Sequence, residues 1–399
     1  TYDPANPPVF AKDGKYAVQF RSADVAGNVE TVQTVAFNID QTPPATTNTL
    51  AGTQGSSGWY KAGSAVVLTL TATDNLSGVA STSAAVNGGQ PQAYSQPVTF
   101  IDGTYTVGYT STDVAGNVEK PGGSVSLKVD QTAPKTTASL SGQQGGNGWY
   151  TGPVTLTLAA SDPAAPDGTS SGVAATQYST DNGATWQAYS APVVFGKDGK
   201  YSVLVQSSDN AGNVETAPAP ATFQIDQTPP VTTAASSGTT GGNGWYRAGS
   251  AVQLTLTASD PTAADGSASG VASTSYAVNG AAGQAYTKPV AFGDGVYSVT
   301  YSSTDKAGNA EKAAGPLAFK VDQTPPVVAI TGVSNGATYT LGAVPTPGLT
   351  ATDATSGIDT QSGSLTTKPA TASGVGTYTY TAAATDKAGN GTTVSATYK

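Results

Sequence analysis

Between residues 65 and 73 the apolar positions Val66, Leu68, Leu70 and Ala72 alternate with Val67, Thr69, Thr71 and Thr73. Successive side chains of a strand point to opposite faces, so this run predicts a strand with one face buried. Residues 80–86 predict a second strand, ending at the turn signal Asn87-Gly88-Gly89, and residues 97–100 a short third before Asp102-Gly103. In 105–113, Tyr105, Val107 and Tyr109 share one face; a last strand falls at 124–129. No stretch carries the three-to-four-residue spacing of an amphipathic helix. About seven short strands with turn residues roughly every ten positions predict a β-sandwich of immunoglobulin-like or fibronectin III-like kind.

The pattern then repeats. Asp24-Val25-Ala26-Gly27-Asn28 recurs as Asp-x-Ala-Gly-Asn at 113–117, 209–213, 305–309 and 386–390, and Gly-Trp-Tyr recurs at 58–60, 148–150 and 244–246. Asp-Gln-Thr followed by Pro-Pro or Ala-Pro begins at 40, 130, 226 and 322, in steps of 90, 96 and 96 residues, the size of one sandwich. The extra six residues lie in one loop, which is short from Asp74 to Gly78 and long from Asp162 to Gly172 and from Asp260 to Gly270. The expected division is 1–41 as the second half of a module, 42–131, 132–227 and 228–323 as complete modules, and 324–399 as a shorter, divergent but complete one. The opening half-module reads either as a chain cut mid-domain or as an open sandwich completed by strands from another molecule.

Several phrases carry a family resemblance: residues 178–187 (Tyr-Ser-Thr-Asp-Asn-Gly-Ala-Thr-Trp-Gln), Asp198-Gly199-Lys200-Tyr201, and residues 208–215 (Ser-Asp-Asn-Ala-Gly-Asn-Val-Glu). The chain resembles the bacterial Ig-like repeats found in tandem in large secreted and cell-surface proteins. Some repeats of this kind are named after a leptospiral outer-membrane protein and labelled β-barrels, but no lipid-facing apolar band with aromatic girdles is present here. The resemblance implies an extracellular location on a bacterial surface and a spacer, adhesin or accessory role, without catalysis.

Composition narrows the chemistry. Lys and Arg number 17 against 26 Asp and Glu, a net charge of −9, and the cations are never clustered, which argues against nucleic acid as a partner. No apolar run is long enough to insert in a membrane. There is no Cys and no His, which removes thiol chemistry, disulfides and the commonest general base and metal ligand. Paired carboxylates alone could suggest a glycosidase, but these recur at every module boundary instead of flanking one cleft. No enzyme is expected.

One constellation suggests more than fold. The inward parity of 66, 68, 70 and 72 continues to Asp74, and that of 105, 107 and 109 continues through Ser111 to Asp113. In an Ig-type sandwich the loops after these strands share one pole, where the preceding module enters through Asp40. Asp40, Asp74 and Asp113 therefore converge, as do Asp130, Asp162 and Asp209; Asp226, Asp260 and Asp305; and Asp322, Asp353 and Asp386. Hard oxygen donors without His or Cys suit Ca2+ at the inter-module junctions. The competing reading is turn chemistry, in which each Asp only accepts backbone N–H bonds beside a glycine. Trp59, Trp149 and Trp245 read as edge-packing rings or as sugar platforms, whereas Trp186 is unmatched (Pro91 and Gly283 stand at its place) and is the better candidate for ligand binding.

The linkers have little slack and contain proline, which favours extended stiff backbone, so an elongated, semi-rigid rod is expected. Its function is that of a stalk, surface fibre or surface-layer component. The alternative is an adhesion module for glycan or protein, or an accessory region of a secreted enzyme. Expected partners are other surface proteins, glycans or further copies of the chain.

Overall fold

A computed structural model describes residues 1–369 and 374–399. The described residues are strands and turns, with one short 3-10 turn at Gly242–Gly244. They divide into two compact units, residues 1–140, 156–193 and 202–222 forming one and residues 141–155, 194–201 and 223–399 the other.

In the first unit, residues 42–131 make two facing sheets. One holds strands A (Ala45–Ala51), B (Val66–Thr73) and E (Val98–Phe100) in the order A-B-E. The other holds A′ (Tyr60–Lys61), G (Gly123–Val129), F (Gly103–Asp113), C (Val79–Val86) and C′ (Gln92–Ala93) in that order, with Thr53–Gln54 at the A′ edge. Val66 and Leu68 of B are fully buried, and with Leu70 they pack against Val107 and Tyr109 of F and Leu127 and Val129 of G. The alternation legible at 65–73 and 105–113 is thus the alternation that builds the core, because each sheet has one dry face. The Gly-Trp-Tyr segment forms the A′ strand, running parallel to G with Tyr60 opposite Val129. Residues 1–41 supply only the ribbon Gly14–Phe20 with Gln33–Ile39, closed by a Phe10, Tyr16 and Phe37 cluster.

A buried polar clasp recurs inside this architecture. Glu119 accepts the backbone N–H of Thr46 at 2.9 Å, the Thr46 hydroxyl at 2.7 Å and the Ser111 N–H at 3.2 Å, tying A to F. Glu215 does the same for Thr136 and Ser207 in the first unit, and Glu311 for Thr232 and Ser303 in the second.

In the second unit, residues 228–323 repeat the two-sheet pattern, with Val231–Ser237, Val252–Ser259 and Val290–Phe292 facing Trp245–Tyr246, Ala314–Val321, Gly295–Asp305, Val271–Val278 and Gln284–Ala285. The last repeat was expected to be short but complete. Among the described residues it has A (Val327–Thr331) and B (Gly348–Thr352) facing C (Ile358–Pro369), F (Gly376–Asp386) and G (Gly391–Tyr398), and the place of strand E, just ahead of F, lies outside the described residues. Where Val66 and Leu68 pair with E in residues 42–131, the register of A with B places Pro345 and Pro347 here. Proline has no N–H to donate, so that edge offers two fewer donors to a partner strand. Its clasp is replaced as a set, with Val328, Ala384 and Thr392 at the places of Thr, Ser and Glu. The two hydroxyls and the carboxylate that bonded one another are thus gone together.

Candidate metal centre

The parity of the strands decides where the carboxylates go. Along F, Val107, Tyr109, Ser111 and Asp113 are all buried, and Asp113 closes the series at 2% exposure. Asp74 follows B in the same way, with its side chain on the inner side of the pole. The linker brings Asp40 to the same point, and one carboxylate oxygen from each of Asp40, Asp74 and Asp113 lies within 4.8 Å of the others. The same holds for Asp130, Asp162 and Asp209, for Asp226, Asp260 and Asp305, and for Asp322, Asp353 and Asp386.

Backbone N–H groups fix each carboxylate. At the second site Asp130 accepts the Ser171 N–H at 2.7 Å, Asp162 accepts the Gly172 N–H at 2.7 Å, and Asp209 accepts those of Gly212 and Asn213 at 2.7 and 2.8 Å. Turn chemistry is therefore present, as the competing reading required. It does not use every oxygen. Oδ1 of Asp74, Asp162 and Asp260 is buried and has no hydrogen-bond partner. A buried carboxylate oxygen with no donor is costly, and three carboxylates sharing a few ångströms add mutual repulsion. Burial raises the pKa of Asp162, with the charges of Asp130 and Asp209 adding to it, and Asp260 is raised by burial and by Asp226 and Asp305. Asp322 is raised by burial, with Asp353 contributing. Asp40 is shifted down, chiefly by the hydrogen bond from Ser77. A cation among these oxygens would satisfy the orphaned Oδ1 atoms and cancel the repulsion. With only oxygen donors in place, the set fits a hard divalent ion.

Two features escaped the sequence reading. The first is the motif asparagine. Asn213 donates its amide to the Asp130 carbonyl at 2.8 Å and to the Asp209 carboxylate at 2.7 Å, while its Oδ1 accepts the Ala62 N–H of the preceding repeat at 2.8 Å. Asn390 does the same for Asp322, Asp386 and Ala248. The second is the glycine three residues before each Gly-Trp-Tyr. A β-carbon at Gly55 would lie 2.0 Å from the Ala211 carbonyl oxygen, at Gly145 2.2 Å from that of Ala307, and at Gly241 2.0 Å from that of Ala388. The loop leading into A′ thus docks on the Asp-x-Ala-Gly-Asn turn of the next repeat. The spacing Gly-x-x-Gly-Trp-Tyr held this signal, but only the contact explains it.

The tryptophans sort by environment. Trp59, Trp149 and Trp245 lie at the sandwich edge beneath Lys128, Lys200 and Lys320, whose ammonium groups stand 5.7, 5.9 and 5.2 Å from the ring centres. Lys128 and Lys320 come from Gly123–Val129 and Ala314–Val321, the strands that run beside Trp-Tyr, but Lys200 comes from the next strand over, Gly199–Asp209. Trp186 is half-buried beside the Asp181–Thr185 turn, where a β-carbon at Gly183 would lie 3.9 Å from its ring. Thr185 donates its N–H to Asp181 at 2.9 Å, and the hydroxyls of Thr185 and Ser179 hold that carboxyl down to about 2.

The sequence profile of the bacterial Ig-like domain matches residues 3–41. That segment is similar to a bacterial Ig-like domain. The phrases that close it, Asp-x-Ala-Gly-Asn-Val-Glu and Asp-Gln-Thr-Pro-Pro, are those that recur through the rest of the chain. No curated protein matches the chain. Among solved structures, a tetra-tandem repeat from the extending region of a large adhesion protein is 18% identical, with 89% of this chain and 98% of that one covered and a TM-score of 0.31. A Ca2+-stabilized adhesin that helps an Antarctic bacterium reach out and bind ice is also 18% identical, over 90% of this chain and 99% of that one, with a TM-score of 0.30. At such scores the likeness carries no weight on function. No helix among the described residues is long and apolar enough to cross a membrane.

Proposed function

We propose that this chain is a non-catalytic extracellular stalk of Ig-like repeats, whose junctions are stiffened by Ca2+ held at the four aspartate trios. The observation that carries the reading is the orphaned, buried Oδ1 of Asp74, Asp162 and Asp260 inside a three-carboxylate cluster. In those three trios hydrogen bonds account for the other oxygens and leave these atoms without a role. A cation would bind where the linker aspartate meets the next repeat, so its free energy would hold consecutive repeats in one arrangement. The location that suits such a site is outside the cell, on a bacterial surface.

Trp186 supports a local ligand contact on this stalk, because an aromatic face at a turn, absent from the equivalent hairpins, can stack on a sugar or a partner side chain. The W186A variant losing binding to a glycan array or a surface protein would establish it.

The deciding experiment is calorimetric titration of the full chain with Ca2+, with small-angle scattering in calcium and in chelator. Binding near four ions with a longer, stiffer particle in calcium supports the reading. No heat and no change in scattering would leave the aspartates as turn residues.

A further inference from the structure

The six-residue insertion that distinguishes two of the loops does not simply lengthen the surface. Residues 163–171 fold into a tight turn, with the Ala165 N–H donating to Thr169 O at 2.7 Å and the Gly168 N–H to Ala165 O at 2.9 Å. Residues 261–269 repeat it through Ala263, Ser267 and Gly266 at the same two distances. Each turn carries one aspartate at its tip. Asp167 accepts the Thr169 N–H and hydroxyl within its own loop, and its other oxygen accepts the Thr104 N–H of the preceding repeat at 2.8 Å and the Thr104 hydroxyl at 3.2 Å. Asp265 accepts the Ser267 N–H and hydroxyl, and its other oxygen accepts the Lys200 N–H at 2.8 Å, again from the preceding repeat. The short loops hold Asn75-Leu76-Ser77 and Ala354-Thr355-Ser356 in this place and have no carboxylate to extend.

The brace and the trio differ in what they need. In each trio three like charges face one another, and at Asp74, Asp162 and Asp260 they surround an unsatisfied oxygen. In the brace a single carboxylate is saturated by donors from both sides of the junction. Asp265 is accordingly pulled down to about 2, first by the Ser267 hydroxyl and then by the Lys200 N–H, and Asp167 is lowered for the same reason by Thr169 and Thr104. Such a carboxylate stays charged and bonded without any metal.

We infer that the insertion creates two classes of junction: those entered at Asp130 and Asp226 are braced and hold without a cation, whereas those entered at Asp40 and Asp322 depend on one. This rests on the calcium reading proposed above. Loss of Ca2+ then loosens the chain at selected joints and leaves the repeats from 42 to 323 linked.

Four equivalent amides report on the four junctions. The N–H groups of Ser77, Ser171, Ser269 and Ser356 donate to Asp40, Asp130, Asp226 and Asp322 at 2.8, 2.7, 2.9 and 3.0 Å. Residue-resolved hydrogen exchange on the full chain, with calcium and with chelator, reads them together. On chelation, exchange at Ser77 and Ser356 should accelerate at least about tenfold, while Ser171 and Ser269 stay protected. In D167N/D265N the loop turn keeps an acceptor but the cross-junction N–H loses its charged one, and Ser171 and Ser269 should then respond like the other two. Replacing residues 163–171 and 261–269 by Asn-Leu-Ser, the short loop of the same chain, gives a second route to that result. Equal acceleration at all four amides in the unmodified chain overturns the brace and leaves the calcium reading standing. No acceleration at any amide, with no calcium heat, overturns the calcium reading itself.

Discussion

Replacing Asp162 by asparagine should change the stability of its repeat in opposite directions with and without calcium. The substitution is nearly isosteric, and the asparagine carbonyl can keep the bond from the Gly172 N–H, which is 2.7 Å from Asp162 now. What it removes is the charge on the orphaned oxygen. Asp162 has an oxygen within 4.8 Å of oxygens from both Asp130 and Asp209. Two like charges at such separations repel by about 3–4 kcal/mol at an effective dielectric of ~20 and by about 1 kcal/mol in bulk water. The cluster is part-buried, so removing two of its three pairs should stabilise the cation-free repeat by roughly 2–4 kcal/mol. The new amide can also donate to the carboxylates it formerly repelled.

In saturating calcium the sign reverses. A ligand present at 1,000 times its dissociation constant stabilises the folded state by about 4.1 kcal/mol, more than the relief of repulsion, and D162N forfeits it by losing a charged ligand. A chain of several repeats does not unfold in one step, so a single melting temperature is the wrong measure. The assay is native-state hydrogen exchange at the buried strand amides of Val203 and Val205, in chelator and in calcium. D162N more protected than the parent in chelator and less protected in calcium is the expected pair of results. Equal destabilisation in both conditions would refute the reasoning and make Asp162 a loop cap.

The remaining predictions use the same readouts. Asp162, Asp260 and Asp322 have raised folded pKa values, burial being the first cause, so without calcium their favourable contribution is full below about 3.8 and is lost as pH rises through the folded value. The stability gap between the parent and D162N in chelator should therefore close on acidification, which exchange measured from pH 7 down to 4 would show. E215A strands the Thr136 and Ser207 N–H groups and should cost its repeat about 2–4 kcal/mol in calcium and chelator alike. G55A places a methyl group against the Ala211 carbonyl of the next repeat; exchange at Ala62 should accelerate while that at Val107 in the core is unchanged.

Fold and site were legible to different depths for a physical reason. Period-two alternation is a local property, so the strands at 66–73 and 103–113 could be read from residues in sequence, and parity carried the reading on to Asp74 and Asp113. Register between the pole loops of successive repeats is not local. Nothing in the string Gly-x-x-Gly-Trp-Tyr says that its first glycine meets an alanine carbonyl about 150 residues away. The insertion looked like ordinary loop variation because length alone does not show where a loop points. Pro345 and Pro347 remove two donors from an edge of the last repeat, and that meaning required the register of A with B.

The divergent last repeat separates what the sandwich needs from what the junction needs. It has replaced the Thr-Ser-Glu clasp with Val328, Ala384 and Thr392 and filled its core with Tyr380, Tyr398 and several alanines. A β-sandwich interior accepts such exchange because burial of apolar area is non-directional, and many sets of side chains fill the same volume. At its pole the trio persists: one carboxylate oxygen from each of Asp322, Asp353 and Asp386 lies within 4.8 Å of the others, and Asn390 still bonds the Asp322 carbonyl and the Asp386 carboxylate at 2.9 Å each. Placing three oxygens around one point is directional and admits few substitutes. If these aspartates were turn caps alone, asparagine or serine would serve at some of the twelve places, since either can accept a backbone N–H. All twelve are aspartate. Charge, and not merely an acceptor, is what the junction retains where the rest of the repeat has been rebuilt.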